Sequence, residues 1–356
     1  MAALPAAGRH QEGSHRRGPA QDRRDVRDER TRRQRASAGD RPAARPQSRR
    51  GHTSTPDLRV IEQGSPRNHG AASDFAGKRV AYQGEPGAYS DEAVSAVFPG
   101  AEAVGFPTFR LTFDALSMGA VDSAVLPVEN SSAGVVQEVS DLLWELPGLR
   151  VVREHVQPVR HCLLGWPGPV DRALSHPQAL AQCDRYLHSR QIRSVAFHDT
   201  AGAARAVAEQ RQPGTAAIAS KAAAARYGLY VLAESIQDDS ENRTRFVVVE
   251  KGDPARPRQA TSGHREADSK WKGSIAFVTA HRPGSLAHAL DCFAQRSVNL
   301  TRLDSRPILG RPFEYRFYLD FSINGEASAR EAAEAALSAL EEASAEIKLF
   351  GTYPAF

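Results

Sequence analysis

Cysteine, methionine and tryptophan are scarce in this chain of 356 residues, at three, two and three copies. The cysteines, Cys162, Cys183 and Cys292, are odd in number and form no C-x-x-C pair. That spacing excludes a disulfide framework or a cysteine zinc site as the organising feature and fits a reducing compartment. No apolar run approaches the roughly 18 residues needed to span a bilayer, and no apolar core of a secretory signal stands near the N-terminus. A soluble, cytoplasmic protein with no membrane partner is expected. Lysine is missing before Lys78 and aromatic residues before Phe75, so the first fifth of the chain has nothing from which to build a core.

That N-terminal stretch, residues 1–75, is rich in Arg, Ala, Gly, Pro, Ser and Asp and is read as a disordered tail, because its burial would not offset its conformational entropy. Three origins compete: a plastid transit peptide, a solvated tail, or translated sequence upstream of the true start. Asp22, Asp25, Asp28 and Glu29 among the arginines count against a transit peptide, which is poor in acids. The formal charge of +4 and the pI near 9.0 come mostly from this tail. The rest has no basic stripe interleaved with aromatics, so a nucleic-acid partner is not expected.

From Lys78 to Glu250 short apolar strands (Val80-Ala81-Tyr82, Ser123 to Val128, Ala216 to Ala219) alternate with helical stretches (Thr200 to Gln210, Lys221 to Tyr227), the pattern of an α/β domain with a mainly parallel sheet. Ser90, Asp199 and Ser220 are candidate helix N-caps. A linker rich in Pro, Gly, Ser and charge follows, and from Gly273 the order becomes strand, helix, strand, strand, helix, strand. In the long strand Phe313, Tyr315, Phe317, Leu319, Phe321 and Ile323 alternate with Glu314, Arg316, Tyr318, Asp320 and Ser322, which predicts one core face. A βαββαβ unit of this size has the ferredoxin-like plan. The expected division is a tail (1–75), a catalytic domain (78–251), a linker (252–270) and a second domain (272–354).

The run Asn242-Arg243-Thr244-Arg245-Phe246 carries the most chemistry. It sets a hydroxyl between two guanidinium groups at the mouth of a strand, an arrangement suited to a small dianion. With it, in order, come Arg79 to Ser90, Val125 to Gly134 with Glu129, Asn130 and Ser131, and Ser175 to Cys183 with His176, Gln178 and Gln182. These motifs together resemble prephenate dehydratase. Downstream, Asn299 to Pro307 and Gly351-Thr352-Tyr353-Pro354 resemble the ACT regulatory domain that commonly follows it. The resemblance covers about 280 residues. It implies a two-lobed α/β catalytic domain like a periplasmic binding protein, plus the βαββαβ ACT domain.

It also implies a lyase of phenylalanine biosynthesis. Prephenate would lose carbon dioxide and hydroxide to give phenylpyruvate, driven by aromatisation, with no cofactor, metal or covalent nucleophile. Arogenate is the alternative substrate, and a non-catalytic amino-acid-binding regulator the rival of another class. By the same resemblance Thr244 contacts the leaving hydroxyl. Glu129, if buried, is the candidate proton donor, since burial raises a carboxyl pKa. Asn130, Ser131, Gln178 and Gln182 are candidate substrate contacts. Arg245 either holds a carboxylate or braces its loop, and Phe246 sets that loop. His176, ahead of Pro177, reads as a fixed turn residue, and the Gly84 to Ser90 run as an anion-wrapping loop. In the ACT domain Gly284, Ser285, Leu286, Asn299, Leu300, Asp304, Ser305, Arg306 and Pro307 are the expected phenylalanine contacts, at a subunit boundary that implies a homodimer or homotetramer.

Overall fold

The computed structural model describes residues 74–254, 270–324 and 326–355. The expected disordered tail, apart from its last two residues, and most of the expected linker lie outside the described residues.

The chain begins with β1 (Arg79–Gln83), α1 (Tyr89–Val97), β2 (Glu102–Phe106), α2 (Phe109–Ser117), β3 (Ser123–Asn130), β4 (Gly134–Val135), α3 (Gln137–Glu145) and β5 (Leu149–Pro158). It then crosses to a second sheet through β6 (Cys162–Gly165), β7 (Val170–Ser175), α4 (Pro177–Ala181), α5 (Asp184–Ser189), β8 (Arg193–Ala196), α6 (Thr200–Gln210), β9 (Gly214–Ala219), α7 (Lys221–Tyr227) and β10 (Tyr230–Ala233). Strand β11 (Arg243–Lys251) returns to the first sheet and lies between β3 and β5. Two lobes joined by two crossovers result, the plan of periplasmic binding proteins. Both sheets are mixed rather than mainly parallel: β1 pairs β2 and β3 in parallel, whereas β11 runs antiparallel to β3 and β5. In lobe two, β7 pairs β8 and β9 in parallel while β6 runs antiparallel to β9 and β10. An apolar run marks a strand but not its direction.

Side-chain caps open two of the three helices expected to have them: Asp199 accepts from Gly202 N at 2.5 Å and Ser220 from Ala223 N at 3.1 Å. The third differs. Helix α1 begins at Tyr89 with Ala88 at its cap position, and Asp91 instead accepts from the Gly87 amide at 2.8 Å. The Gly84–Ser90 loop is a strap between the lobes. Its Pro86 and Gly87 carbonyls accept from Tyr227 Oη (2.7 Å) and Ser220 Oγ (2.9 Å), and Glu85 pairs with Arg205 at 3.0 Å. Gly87, at φ +88°, lies so close to Ala223 that a Cβ there would sit 3.0 Å from the Ala223 Cα.

The third sheet is built from β12 (Trp271–Val278), α8 (Ser285–Ala294), β13 (Leu300–Ile308), β14 (Arg311–Ile323), α9 (Ala327–Ala343) and β15 (Glu346–Pro354), in the order β13-β14-β12-β15. This is the expected βαββαβ unit. Both helices cover one face, burying Phe277, Phe293, Leu319, Phe321 and Leu340. The other face is not solvated as the alternation of β14 suggested. Ala276, Tyr318, Phe350 and Tyr353 join the lobe-one core of Phe113, Leu116, Leu126, Val139 and Leu142, so Tyr318 and Asp320 are both 2% exposed. The apolar members at the other end of β14 overhang instead, with Phe313 79% and Tyr315 42% exposed. A second layer buries the polar row, and the hairpin tip extends beyond both layers.

Candidate active site

Thr244 is the second residue of β11, with Asn130 of β3 and Gln157 of β5 as its cross-strand partners. Side chains alternate along a strand, so Thr244 and its partners share one face while Arg243 and Arg245 take the other. Two guanidiniums flanking the hydroxyl, as expected from the run, are therefore absent. Arg243 is exposed and pairs with Glu241 at 3.0 Å. Arg245 donates to Glu129 (3.2 Å) and to Asp320 of β14 (2.6 Å), with Glu154 at 3.6 Å. Glu129 faces that second side too, and its side chain is 40% exposed. The burial on which a proton-donor role for Glu129 depended is not there, nor does the fold bring it to Thr244.

Asn130 organises the Thr244 side. Its Oδ1 accepts from the Ser132 and Ala133 amides at 3.1 and 2.9 Å, which fixes the orientation of the amide because backbone N–H groups only donate. Its Nδ2 then donates to Asn242 Oδ1 (2.8 Å), Thr244 Oγ1 (3.0 Å) and the Arg243 carbonyl (3.1 Å). Thr244 thus receives a hydrogen bond and keeps its own proton to give. The polarity continues outward: Gln182 Nε2 donates to Asn130 Oδ1 at 3.4 Å, leaving Gln182 Oε1 to accept from His161 Nε2 at 2.9 Å. His161 Nδ1 faces the Tyr89 hydroxyl, also at 2.9 Å. Burial pushes the His161 pKa down, opposed by its bond to Gln182, so the imidazole is neutral with its proton on Nε2, and the Tyr89 hydroxyl beside Nδ1 donates to the Arg160 carbonyl at 2.9 Å. Burial raises the Tyr89 phenol well above its ordinary value and keeps it protonated.

Gln157 Nε2 donates to Glu92 Oε2 at 3.2 Å, and burial raises the Glu92 carboxyl despite bonds from Ser220 and Ala222. Asn242 is 1% exposed, and its Nδ2 has no hydrogen-bond partner among the described residues. His161 and Asn242 lie on the segments where the chain crosses between the lobes, so the network spans the join.

Other expected residues lie apart from this network. Gln178 and His176 are exposed at the start of α4, where His176 Nδ1 accepts from the Gln178 amide as a cap. Ser175 is fully buried and donates to the Ile218 carbonyl at 2.6 Å. Ser131 Oγ accepts from the Arg243 amide, and Phe246 is core at 2% exposure. Reading the sequence alone missed His161, Gln157, Asn242, Glu92 and Tyr89 as site members. Tyr89 and Asn242 lie inside the motifs that carry the family resemblance, while the other three carry no local signal.

The expected effector residues divide between two places. Gly284, at φ +83°, and Ser285 and Leu286 open α8, whereas Leu300 to Pro307 form the edge strand β13, preceded by Asn299. Asp304 and Arg306 turn toward lobe one, Asp304 accepting from Arg302 at 2.5 Å and Arg306 donating to Asp141 at 2.7 Å. Ser305 and Pro307 stay exposed.

The sequence model of the family described as Prephenate dehydratase matches residues 80–254, which takes in the two-lobed unit from its first strand to the end of β11. The plastid protein named arogenate dehydratase/prephenate dehydratase 1 of Arabidopsis thaliana is 41% identical over 295 residues, 78% of this chain and 72% of its own. Among solved structures, the prephenate dehydratase of Arthrobacter aurescens in complex with L-Phe is 28% identical, with a TM-score of 0.67 over 77% of this chain and 89% of that one. GqqA, described as a novel type of quorum quenching acylase, is 35% identical with the same TM-score, covering 78% and 98%. The chloroplastic naming belongs to the plant relatives, and nothing in these comparisons supports the cytoplasmic placement expected from the sequence. With identity of 41% to a relative it spans over 72% of that protein's length, the chain belongs to the prephenate dehydratase family.

Proposed function

We propose that this protein converts prephenate to phenylpyruvate, carbon dioxide and water, using Thr244 to hold the departing hydroxyl. The carrying observation is the fixed donation from Asn130 Nδ2 to Thr244 Oγ1, which leaves the threonine proton free for a substrate oxygen. As the ring carboxylate leaves and the ring becomes aromatic, negative charge grows on the hydroxyl oxygen, and the Thr244 O–H stabilises it there. A preorganised donor of this kind contributes on the order of 100- to 1,000-fold. Asn242 Nδ2, without a hydrogen-bond partner among the described residues, is a second donor for a substrate oxygen. Asn130, Gln157 and Gln182 surround Thr244 with amides rather than guanidiniums, which suits a site where over-stabilising the ring carboxylate would slow its loss.

Arogenate differs from prephenate only in an amino group at the side-chain keto position, and the same residues serve it; the names of the plant relatives favour keeping it as the second substrate. The third sheet acts as an ACT sensor in this reading, inhibited by phenylalanine, and the L-Phe complex of the Arthrobacter aurescens relative supports phenylalanine as effector. Exposed Leu303, Leu309, Phe313 and Tyr315 on the β13–β14 hairpin support pairing with a second copy there.

The test is turnover of prephenate and arogenate side by side, with and without phenylalanine, by the wild type and Thr244→Ala. The variant should lose about 100- to 1,000-fold in kcat with a small change in KM. Equal loss of turnover and substrate binding would remove the catalytic role, and an inert wild type would favour a binding protein. An acylase assay, added because of the likeness to GqqA, should show no hydrolysis.

A further inference from the structure

The Arg245 guanidinium is held in the seam between lobe one and the third sheet, with its side chain 10% exposed. Three carboxylates surround it, at 2.6 Å (Asp320), 3.2 Å (Glu129) and 3.6 Å (Glu154). The shortest contact comes from the third sheet. Asp320 is itself held: its Oδ1 accepts from Ser274 Oγ at 2.6 Å, and that oxygen meets Tyr353 Oη at 2.6 Å. Lys272 Nζ donates to both oxygens of Glu154 at 3.0 Å. Strands β12, β14 and β15 thus all contribute to the group that clamps Arg245. The edge strand joins through Arg302, whose NH1 lies 3.8 Å from Asp320 while its Nε donates to Asp304.

Thr244 is the next residue along β11, facing the opposite way. One side chain and one peptide bond separate the Asp320 carboxylate from the backbone that aims the Thr244 hydroxyl. The pairing of β11 with β3 is irregular at this point, stepping from Arg245 opposite Glu129 to Phe246 opposite Pro127. A bulge breaks the ladder there, and bulges re-aim side chains. The pairing with β5 keeps its register from Arg243 to Val248, so the irregularity is confined to the β3 side, where the charge pair adds a restraint on that edge of β11.

We infer that Asp320 is a positioning residue for the dehydration: through Arg245 it fixes the β11 backbone beside Thr244 and thereby the direction of the Thr244 hydroxyl. The inference rests on the proposed role of Thr244. It makes a residue of the third sheet necessary for full turnover, although that residue faces away from the substrate side of β11. It also gives movements of β13 a path to the chemistry, through Arg302 and Asp304.

The experiment compares Asp320→Asn, Asp320→Glu and the double variant Asp320→Asn/Thr244→Ala with wild type in the full chain, each with a melting curve. Misplacing a reacting group by about an ångström costs on the order of 100-fold, so Asp320→Asn should lose about 10- to 100-fold in kcat with KM changing less than about threefold. Asp320→Glu should recover part of the loss. The telling readout is the double variant, where Asp320→Asn should add little to Thr244→Ala because both act on one hydroxyl. Equal losses in both backgrounds, or a wild-type kcat for Asp320→Asn, would overturn the inference. Should Asp320→Asn fail to fold, Ser274→Ala takes its place, loosening Asp320 without removing its charge; an unchanged kcat there would overturn the inference equally. A wild type inert toward both substrates would remove the functional reading and this inference with it, whereas an active wild type beside an unaffected Asp320→Asn removes this inference alone.

Discussion

Replacing Asn130 by aspartate tests the direction of the hydrogen bonds around Thr244 with almost no change of shape. The new carboxylate still accepts from the Ser132 and Ala133 amides, as Oδ1 does now. Its other oxygen, standing where Nδ2 donates, faces Asn242 Oδ1 at 2.8 Å and the Arg243 carbonyl at 3.1 Å, both acceptors. About two hydrogen bonds of roughly 1 kcal/mol each are lost, and a buried charge left against acceptors costs about 1–3 kcal/mol more. Protonation sets the ceiling, since neutralising a carboxyl with an ordinary pKa of about 3.9 costs about 4 kcal/mol at pH 7. Asn130→Asp should therefore destabilise by about 2–4 kcal/mol at neutral pH. The sign follows from a folded-state pKa raised above the unfolded one: the ionic part of the cost is absent below about pH 4 and grows by up to about 1.4 kcal/mol per unit as pH rises toward the folded value. Turnover should follow the same course. An ionised carboxylate draws the Thr244 proton to itself, and a protonated one donates as the amide did. Urea unfolding of wild type and variant at pH 5, 6, 7 and 8, with kcat at each pH, reads both effects, and comparison at equal pH cancels the titrations common to the two proteins. A stability within about 0.5 kcal/mol of wild type at pH 7, or a deficit that deepens toward acid, would refute the orientation assigned to Asn130.

Two further outcomes are expected. The raised pKa of Glu92 means that its ionisation destabilises the fold above its unfolded pKa, so Glu92→Gln should gain stability at pH 7 and none at pH 4; a loss at pH 7 in urea unfolding would show that the bonds from Ser220 and Ala222 outweigh burial. A Cβ on Gly351, at φ +150°, would lie 2.3 Å from the Val151 carbonyl oxygen, so Gly351→Ala should cost about 2–4 kcal/mol by forcing β15 away from β5, and an unchanged urea midpoint would refute that close contact.

How much of this was legible depended on whether one strand's periodicity carried the answer. The βαββαβ order and the helices at Thr200 to Gln210 and Lys221 to Tyr227 could be read because apolar spacing and caps specify them locally. The Arg-Thr-Arg run misleads because its residues read as lying at the mouth of a strand rather than within it. Strand β11 begins at Arg243, and carrying the alternation of Val247 to Glu250 back four residues would have sent both arginines away from Thr244. The same step separates Glu129 from Asn130. His161 and Gln157 were illegible for a different reason: they reach Thr244 through a crossover and a cross-strand pairing, which no local pattern encodes. Asp320 lay in plain view on the polar row of β14, but alternation identifies two faces of a strand without saying what covers the second.

Strand β11 is where the three sheets meet. It lies between β3 and β5, it starts at the crossover returning from lobe two, and its outer face is clamped by the third sheet. Period-two geometry then assigns separate tasks to neighbouring residues. Asn242 and Thr244 face the amide network, while Arg243 and Arg245 face solvent and the seam. In the proposed reading, an effector that shifted β13 would not need to reach the substrate side: moving Arg302 and Asp304 would change the charge around Asp320, and Arg245 would carry that change one peptide bond from the hydroxyl. The proposed chemistry and the proposed control would then be adjacent in sequence because adjacent residues of a strand point in opposite directions.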